Sequence, residues 1–357
     1  MYNSYVTSAD RTVLMEVNVE VIVQLQSWMR GLHVTVLGSG ASADYGYPLM
    51  SELASHLRTS IIPKGGTEAQ WDAIRGQLDA GTDVETALTE THCAESLIEQ
   101  IVLETWKYVS DRDLEFYRRV ADGKHDFPLA RLLSWLDTSR NKIDVVTTNY
   151  DRVVEYACDA VGLTWLDGTG FGYLKRGMKG LETQVRDGPK GTIATVVRIW
   201  KVHGSLDWFS DEADATFSAR VLQRQVPDRT RPLIVTPGQT KYERAFDDPF
   251  RTILAGADNV MKQSNSFLCV GYGFNDKHVH TKLLEKARDP QARFIIACRK
   301  LTESTKKFLM GGACRNFIAI EEAGSPNQSL VWQSAGGDPI SVAGKLWSIS
   351  GLCDLVL

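Results

Sequence analysis

The sequence has few cysteines, and none of them are paired. Six cysteines occur in 357 residues, and no two of them stand in a C-x-x-C pair. Zinc ribbons and redox dithiols depend on that spacing, so neither kind of site is indicated. Cys269 and Cys298 fall within apolar runs, where cysteine usually acts as a small core residue.

The sequence also lacks a strong charge of either sign and a long hydrophobic run. The net charge is -4 without a dense stripe of Lys and Arg, so direct nucleic-acid binding is not expected. No apolar run reaches the roughly 18 residues that a membrane span needs. The N-terminal MYNSYVTSADRT is polar and lacks the charged-then-apolar layout of a signal peptide. We expect a cytoplasmic protein that does not contact a membrane.

The motifs of several common enzyme classes are missing too. The sequence contains no nucleophile elbow, no phosphate-binding G-x-x-x-x-G-K and no H-E-x-x-H. Only weaker motifs remain, and the functional prediction depends on their positions along the chain.

What the sequence does contain is a series of short apolar runs that alternate with helical spacing. Several runs are continuous, which is typical of strands buried on both faces of a parallel sheet. Helical stretches fall at 149–161, 241–263, 277–288 and 300–311, and this alternation predicts an α/β fold with a Rossmann-like parallel sheet covered by helices. The predicted strands are HVTVLG (33–38), KIDVVTTN (142–149), TVVRIWKVHG (195–204), PLIVTPG (232–238), SFLCVGYG (266–273) and RFIIACR (293–299).

Other segments do not follow the alternation. Residues 51–140 have helical spacing without a strand signal, which predicts a helical insertion after the first βα unit. Residues 205–231 are short, mixed and polar, and we expect them to cover an edge of the sheet. The glycine-rich segment 167–191 is predicted to form an extended loop or hairpin. The tail from about 321 to 357 is predicted to carry one helix, SVAGKLWSIS.

The first candidate site is the loop Gly38–Ser42, which follows a buried strand and precedes a helix. Backbone N–H groups at such a turn attract a pyrophosphate, and Gly38 and Gly40 would let the ligand approach the backbone. Ser42 would cap the following helix or donate to phosphate. The alternative is a strand-to-helix turn without a ligand.

Two further candidates follow the next buried strands. Thr148, Asn149 and Asp151 come at the end of VVTTNYD, and ligands of open α/β sheets bind just outside the carboxyl ends of strands. The alternative for Asn149 and Asp151 is helix N-capping. His203 follows another apolar strand and is a candidate general base, or simply a histidine that is hydrogen-bonded in a turn.

The last candidate is the turn in VGYGFNDKHVH, with Gly271, Tyr272 and Gly273. Asp276 is placed to N-cap a helix that starts at the next residue. Asp276, His278 and His280 could alternatively ligate a metal, but helical positions two apart do not share a face. We therefore expect no metal site.

Together, these four clusters resemble the motifs of the sirtuin superfamily. A sirtuin-type glycine-alanine-glycine-x-serine loop and its glycine-x-proline are similar to Gly38, Ser39, Gly40, Ala41, Ser42, Gly46 and Pro48. The threonine-glutamine-asparagine-x-aspartate motif resembles Thr147, Thr148, Asn149, Tyr150 and Asp151. The catalytic histidine-glycine pair is similar to His203 and Gly204, and the glycine-threonine-serine turn to Gly271, Tyr272 and Gly273.

Two departures separate the chain from deacylase sirtuins. Where deacylases have aspartate, phenylalanine and arginine, this sequence has Leu49, Met50 and Ser51. The four-cysteine zinc module of deacylases has no counterpart here. The remaining features resemble the bacterial sirtuin-like branch of anti-phage NADases, as does the TPGQTKYE segment around Lys241.

This resemblance implies a single sirtuin-like catalytic domain over residues 1–357, with the insertion at about 51–140 and a C-terminal extension at about 321–357. It implies an NAD+ glycohydrolase that uses NAD+ as substrate without a metal and depletes NAD+ in anti-phage defence. Activity would be gated by homo-oligomerisation or by a partner, such as a HerA-type ATPase or a short Argonaute. A zinc-less NAD-dependent deacylase and a non-catalytic NAD- or ADP-ribose-binding module remain alternatives.

The resemblance also assigns roles to the candidate residues. Asn149 would hold the nicotinamide ribose or the attacking water, and His203 would accept a proton from either one. Asp151 and Thr148 would complete the site. The loop Gly38–Ser42 would hold the pyrophosphate, and the turn Gly271–Gly273, with the end of the strand at Ile295–Cys298, would surround the adenosine.

Overall fold

The computed structural model describes residues 8–123, 126–138, 142–169, 173–176, 195–236, 248–325, 327–334 and 336–356. The chain forms two compact units. The first unit combines residues 1–36 with residues 261–357, and the second contains residues 37–260. The single-domain organisation that the sequence suggested stays a prediction.

Helices account for much of the described chain. They are α1 (Ser8–Arg30), the short turn α2 (Ser39–Ser42), α3 (Met50–Ser60), α4 (Glu68–Asp79), α5 (Val84–Glu90), α6 (Glu95–Ala121), α7 (Pro128–Asp137), α8 (Val153–Ala160), α9 (Phe250–Gln263), α10 (Lys277–Ala287), α11 (Glu303–Met310) and α12 (Ile349–Val356). None of those described helices has the length and apolar character that a membrane crossing requires.

The strands fall between these helices and in the last third of the chain. They are β1 (Val34–Leu37), β2 (Lys142–Thr147), β3 (Thr164–Leu166), β4 (Leu174–Arg176), β5 (Val196–Lys201), β6 (Gly204–Asp211), β7 (Thr216–Ala219), β8 (Thr230–Ile234), β9 (Ser266–Val270), β10 (Arg293–Ala297), β11 (Phe317–Glu322), β12 (Gln328–Gln333) and β13 (Ile340–Ala343).

In the first unit, β9, β10 and β11 run parallel, and β12 and β13 continue the sheet antiparallel. Every residue of β9 is buried, as expected for a strand covered on both faces. The rings of Phe267 and Phe294 stack with their centroids 4.9 Å apart, and Phe308 of α11 packs edge-on against Phe294. This aromatic cluster lies at the centre of the unit's core.

In the second unit, β2, β5 and β3 are parallel, with Thr147 paired to Lys201 in the register of β2 and β5. A separate antiparallel sheet has the order β4-β7-β6-β8. The helices α3 to α6 share a buried apolar cluster that includes Trp71 and Ile101. The indole Nε1 of Trp106 in α6 donates to the Leu206 carbonyl in β6 at 2.8 Å, which ties the helical segment to the antiparallel sheet.

The structure confirms the predicted fold class, a mostly parallel sheet flanked by helices, and the described part of 51–140 is helical. Three elements were not predicted correctly. Strand β11 was not predicted at all. Residues 205–231, for which no strand was predicted, form most of β6, all of β7 and the start of β8; that they cover an edge of the sheet stays a prediction. The tail carries strands β12 and β13, and its helix begins only at Ile349, because residues 340–343 pair with β12 and Gly344 then turns the chain at a φ of 104°.

Two predictions fall largely outside the described residues. These are the extended loop or hairpin at 167–191 and the segment around Lys241. Both stay predictions.

Candidate functional site

The loop Gly38–Ser42 leaves β1 directly into a helical turn. Gly38 is extended, with φ -111° and ψ -177°, and its carbonyl accepts a 2.9 Å hydrogen bond from the Ala41 N–H. The N–H groups of Ser39 and Gly40 lie in the first turn of α2, where a helix provides no acceptor for them. Gly40 is exposed and Ser39 is half-buried, whereas Ala41 and Ser42 are buried. The loop therefore presents two first-turn amides near its surface.

The end of β2 is attached by two hydrogen bonds to Leu37, the residue before that loop, and a third bond holds the turn that follows β2. The Thr147 hydroxyl donates to the Leu37 carbonyl at 3.1 Å, and the Thr148 N–H donates to the same carbonyl at 3.3 Å. The Asn149 N–H donates to the Thr147 hydroxyl oxygen at 3.0 Å. The backbone positions of Thr148 and Asn149 are thus fixed relative to Leu37.

The Asn149 side chain continues this attachment. Its Nδ2 donates to the Gly38 carbonyl at 3.0 Å and to the Ser42 Oγ at 3.1 Å. A backbone carbonyl can only accept, so these contacts fix which end of the amide is Nδ2. No described residue donates to Oδ1, which is left as an acceptor on a half-buried side chain. Asn149 therefore does not N-cap α8; it joins the first loop to the end of β2.

Asp151 is buried and does not line an open crevice. Its carboxylate accepts a 3.1 Å hydrogen bond from the Val153 N–H. Burial raises the pKa of this carboxyl above its usual value, and Lys201, the Ser42 hydroxyl and the Val153 N–H act in the opposite direction. Arg152 is the N-cap residue of α8, so Asp151 does not N-cap this helix, although it accepts the N–H of the helix's first residue, Val153.

Ser42 does not cap the following helix, and its predicted contact with phosphate stays a prediction. It makes no side-chain cap to the 3-10 turn that follows, and α3 begins later, at Met50. Its hydroxyl instead lies between Asn149 Nδ2 and the Asp151 carboxylate. Ser42 thus links the two segments of the site.

Sequence reasoning missed the ion pair below this turn. Lys201, the last residue of β5, is completely buried; its Nζ donates to the Asp151 carbonyl and, at 2.8 Å, to Glu155 Oε1. Burial raises the pKa of Glu155 to about 7 despite the attraction of Lys201. The pKa of Lys201 is raised as well, because its acidic neighbours outweigh its burial. The one available signal was a lysine inside the apolar run VRIWKVHG.

His203 lies in the turn between β5 and β6. Because Thr147 pairs with Lys201 and the strands are parallel, Asn149 and His203 each follow that pair by two residues and lie at the same edge of the sheet. The Val202 N–H donates to the Thr147 carbonyl at 3.1 Å, so the register continues past the strand ends. His203 is half-buried, and its carbonyl accepts from the Val235 N–H at 2.9 Å.

Gly204 fixes the backbone next to His203. Its φ is 86°, and a Cβ at this position would lie 1.9 Å from the Leu233 carbonyl oxygen. Only glycine therefore fits between β6 and β8 at this point.

The turn Gly271–Gly273 belongs to the first unit. Gly271 has a φ of 57° and its N–H donates to the Ala297 carbonyl at 2.9 Å. Tyr272 is buried, with its ring centroid 4.9 Å from that of Phe274. The Tyr272 ring is thus part of the core, and Gly271 and Gly273 are the half-buried positions of the turn.

Asp276 caps α10 as predicted, because its Oδ1 accepts from the Val279 N–H at 2.8 Å. His280 contacts the rings of Phe274 and Phe308, and His278 is exposed. Within the described ranges, no group of three or more His, Cys, Asp or Glu side chains is arranged to hold a metal ion.

Residues 144–311 match the family model of the SIR2-like domain. The matched segment includes Asn149, Asp151, His203 and the turn at 271–273, and it begins after the loop Gly38–Ser42. The hydrogen bonds from Asn149 to Gly38 and Ser42 connect that loop to the matched segment. The chain is therefore similar to the SIR2-like family over these residues.

Among curated proteins, the comparison finds no match. Among solved structures, a Sir2 homologue variant in complex with ADP-ribose is 13% identical with a TM-score of 0.44, covering 79% of this chain and 86% of that chain. A structure on the mechanism and regulation of Sir2 enzymes is 14% identical with a TM-score of 0.42, covering 81% and 90%. Sir2Tm bound to a propionylated peptide is 13% identical with a TM-score of 0.41, covering 79% and 88%.

Proposed function

We propose that this protein is an NAD+ hydrolase that releases nicotinamide and ADP-ribose. The observation that carries the proposal is the attachment of Asn149 to Gly38 and Ser42, beside a histidine at the end of the neighbouring parallel strand. The match of residues 144–311 to the SIR2-like domain supports the use of NAD+ in general. The proposal that NAD+ is hydrolysed rests on the residues of the site.

The chemistry requires few protein groups. Nicotinamide leaves NAD+ as a neutral molecule, so no acid has to protonate it. The site must stabilise an oxocarbenium-like transition state and position a water molecule. The Asn149 Oδ1 is an acceptor for that water or for a ribose hydroxyl, and His203 is the base that takes the proton.

The loop Gly38–Ser42 is suited to the diphosphate of NAD+. The amides of Ser39 and Gly40 have no acceptor in the helical turn, and N–H groups of this kind bind phosphate oxygens. The contact of Gly271, Tyr272 and Gly273 with the adenosine half stays a prediction from the resemblance.

We further propose that the hydrolase acts as an effector of anti-phage defence by depleting NAD+. Unrestrained NAD+ hydrolysis would kill the host cell, so the activity has to be gated. A homo-oligomer, a HerA-type ATPase or a short Argonaute partner would supply this control. This part rests on the motif resemblance alone.

The test is nicotinamide release from NAD+ by the purified protein, compared with the variants Asn149→Ala and His203→Ala. Each variant is expected to lose at least about 100-fold in kcat, within the range of removed acid-base or positioning groups. His92→Ala, at an exposed histidine, is the matched control and should retain full activity. Turnover that survives both site variants would refute the assignment.

The same assay separates the alternatives. Nicotinamide release only in the presence of an acyl-lysine peptide would indicate a deacylase. ADP-ribose binding without turnover would indicate a non-catalytic module. Leu49 and Met50, which replace the deacylase motif, are both partly exposed at the start of α3.

A further inference from the structure

The side-chain ammonium of Lys201 is buried between the ends of β2 and β5. Lysine is almost never fully buried unless it is paired, and Lys201 has 0% of its surface exposed. Its two partners are the Asp151 carbonyl and the Glu155 carboxylate. Both partners lie in the segment that follows β2, and Lys201 itself lies on β5. The ammonium therefore connects the two strand ends that carry Asn149 and His203.

Stability alone does not explain this ion pair. Replacing a buried pair by apolar side chains of similar volume is often neutral or stabilising. The pair is also incompletely satisfied, because the buried Glu155 Oε2 has no hydrogen-bond partner. An unsatisfied buried carboxylate oxygen costs free energy, so the pair is not arranged for stability alone.

Asp151 and Ser42 connect Lys201 to the Asn149 amide. Lys201 holds the Asp151 carbonyl, and the Ser42 hydroxyl interacts with the Asp151 carboxylate closely enough to lower its pKa. The Ser42 oxygen in turn accepts from Asn149 Nδ2. A shift of Asp151 would therefore be passed to the orientation of Asn149.

From this geometry we infer that Lys201 is a positioning residue, which holds the turn 149–151 so that Asn149 presents its amide oxygen to the reacting ribose or water. The inference deepens the proposed NAD+ hydrolysis and rests on it. Lys201 touches no substrate; it acts through Asp151 and Ser42.

The test is the double variant Lys201→Met with Glu155→Gln, which removes both charges and keeps the side-chain volumes similar. The matched control is Arg198→Met with Asp144→Asn. Arg198 is on the same strand and forms a 2.6 Å ion pair with Asp144 on β2, but this pair contacts no candidate site residue.

Two readouts are needed. Steady-state kinetics with NAD+ should give a kcat lowered by about 10- to 100-fold with KM changed by less than about 3-fold, because small misplacements of a catalytic group have effects of this size. Hydrogen-deuterium exchange in the free protein should become faster in peptides covering 148–152. The control variant should change neither kcat nor exchange in these peptides.

Wild-type kcat together with wild-type exchange in the double variant would overturn the inference. If the wild-type protein does not cleave NAD+ at all, the proposed function fails, and exchange alone decides whether Lys201 holds the turn. If the double variant does not fold, Lys201→Met alone is used, since Glu155 can then become neutral by binding a proton. Failure of both variants to fold would assign Lys201 to stability and refute a positioning role.

Discussion

Substituting alanine for Gly204 should destabilise the protein far more than an ordinary glycine substitution. Gly204 has a φ of 86°, a region that costs other residues about 1–2 kcal/mol. The added Cβ would also lie 1.9 Å from the Leu233 oxygen and 2.9 Å from the Leu233 carbonyl carbon. These are backbone atoms, so no change of side-chain rotamer can relieve the clash. Strand β8 would have to move away from β6.

The cost of that movement follows from the contacts that it breaks. Gly204 pairs with Ile234, and the adjacent Val235 N–H bonds to the His203 carbonyl at 2.9 Å. Losing one or two such bonds costs about 1 kcal/mol each, with more for any buried group left unsatisfied. We therefore expect the clash to lower the free energy of unfolding by at least about 2 kcal/mol, in addition to the cost of the positive φ.

Gly81→Ala provides the matched control. Its φ is 88°, nearly that of Gly204, and a Cβ there meets no atom within 4 Å. In thermal unfolding, Gly204→Ala should therefore melt about 4–8 °C below Gly81→Ala, using about 2–4 °C per kcal/mol for a unit of this size. Equal melting temperatures for the two variants would refute the clash and the β6–β8 geometry. Nicotinamide release by Gly204→Ala should also fall, because His203 is the preceding residue.

Two further predictions concern the buried groups of the site. Ser42→Ala removes the hydrogen bond that Ser42 Oγ accepts from Asn149 Nδ2 and the hydroxyl that interacts with the Asp151 carboxylate. It should lower the free energy of unfolding by about 1–3 kcal/mol in urea denaturation. The exposed Ser55→Ala should have no such effect, and equal midpoints for the two would contradict this role of Ser42. The second prediction follows from the raised pKa of Glu155, about 7 against an ordinary 4.5. The folded state then binds the extra proton, so this contribution to stability is complete below about pH 4.5 and is lost as the pH rises through 7. Relative to Glu155→Gln, the wild-type melting temperature should fall between pH 5 and pH 7, and parallel curves would show that Glu155 does not titrate in this range.

The sequence predicted the strand ends better than the hydrogen bonds between them. Continuous apolar runs marked β2, β5 and β9 correctly, since buried parallel strands have few alternatives. The parallel register then places Asn149 beside His203. The bond from Asn149 to Gly38 joins residues 111 positions apart, and no local pattern encodes such a contact.

Other features were missed for definite physical reasons. Lys201 was overlooked because its burial depends on Glu155, which lies on a different element. The burial of the Tyr272 ring against Phe274 was not predicted, because that contact is tertiary; its assignment to the adenosine turn came from the resemblance and stays a prediction. The strand β13 resembled part of a helix because its pairing with β12 is tertiary.

Because the orientation of the Asn149 amide is fixed, we expect its nearest isostere, aspartate, to disturb the site. Aspartate has the same shape as asparagine, but both of its ends are acceptors. At position 149, one carboxylate oxygen would face the Gly38 carbonyl at the 3.0 Å that the Nδ2 now spans, and two acceptors at that distance repel. Asn149→Asp would therefore weaken the link between the first loop and the end of β2 without a change in side-chain volume.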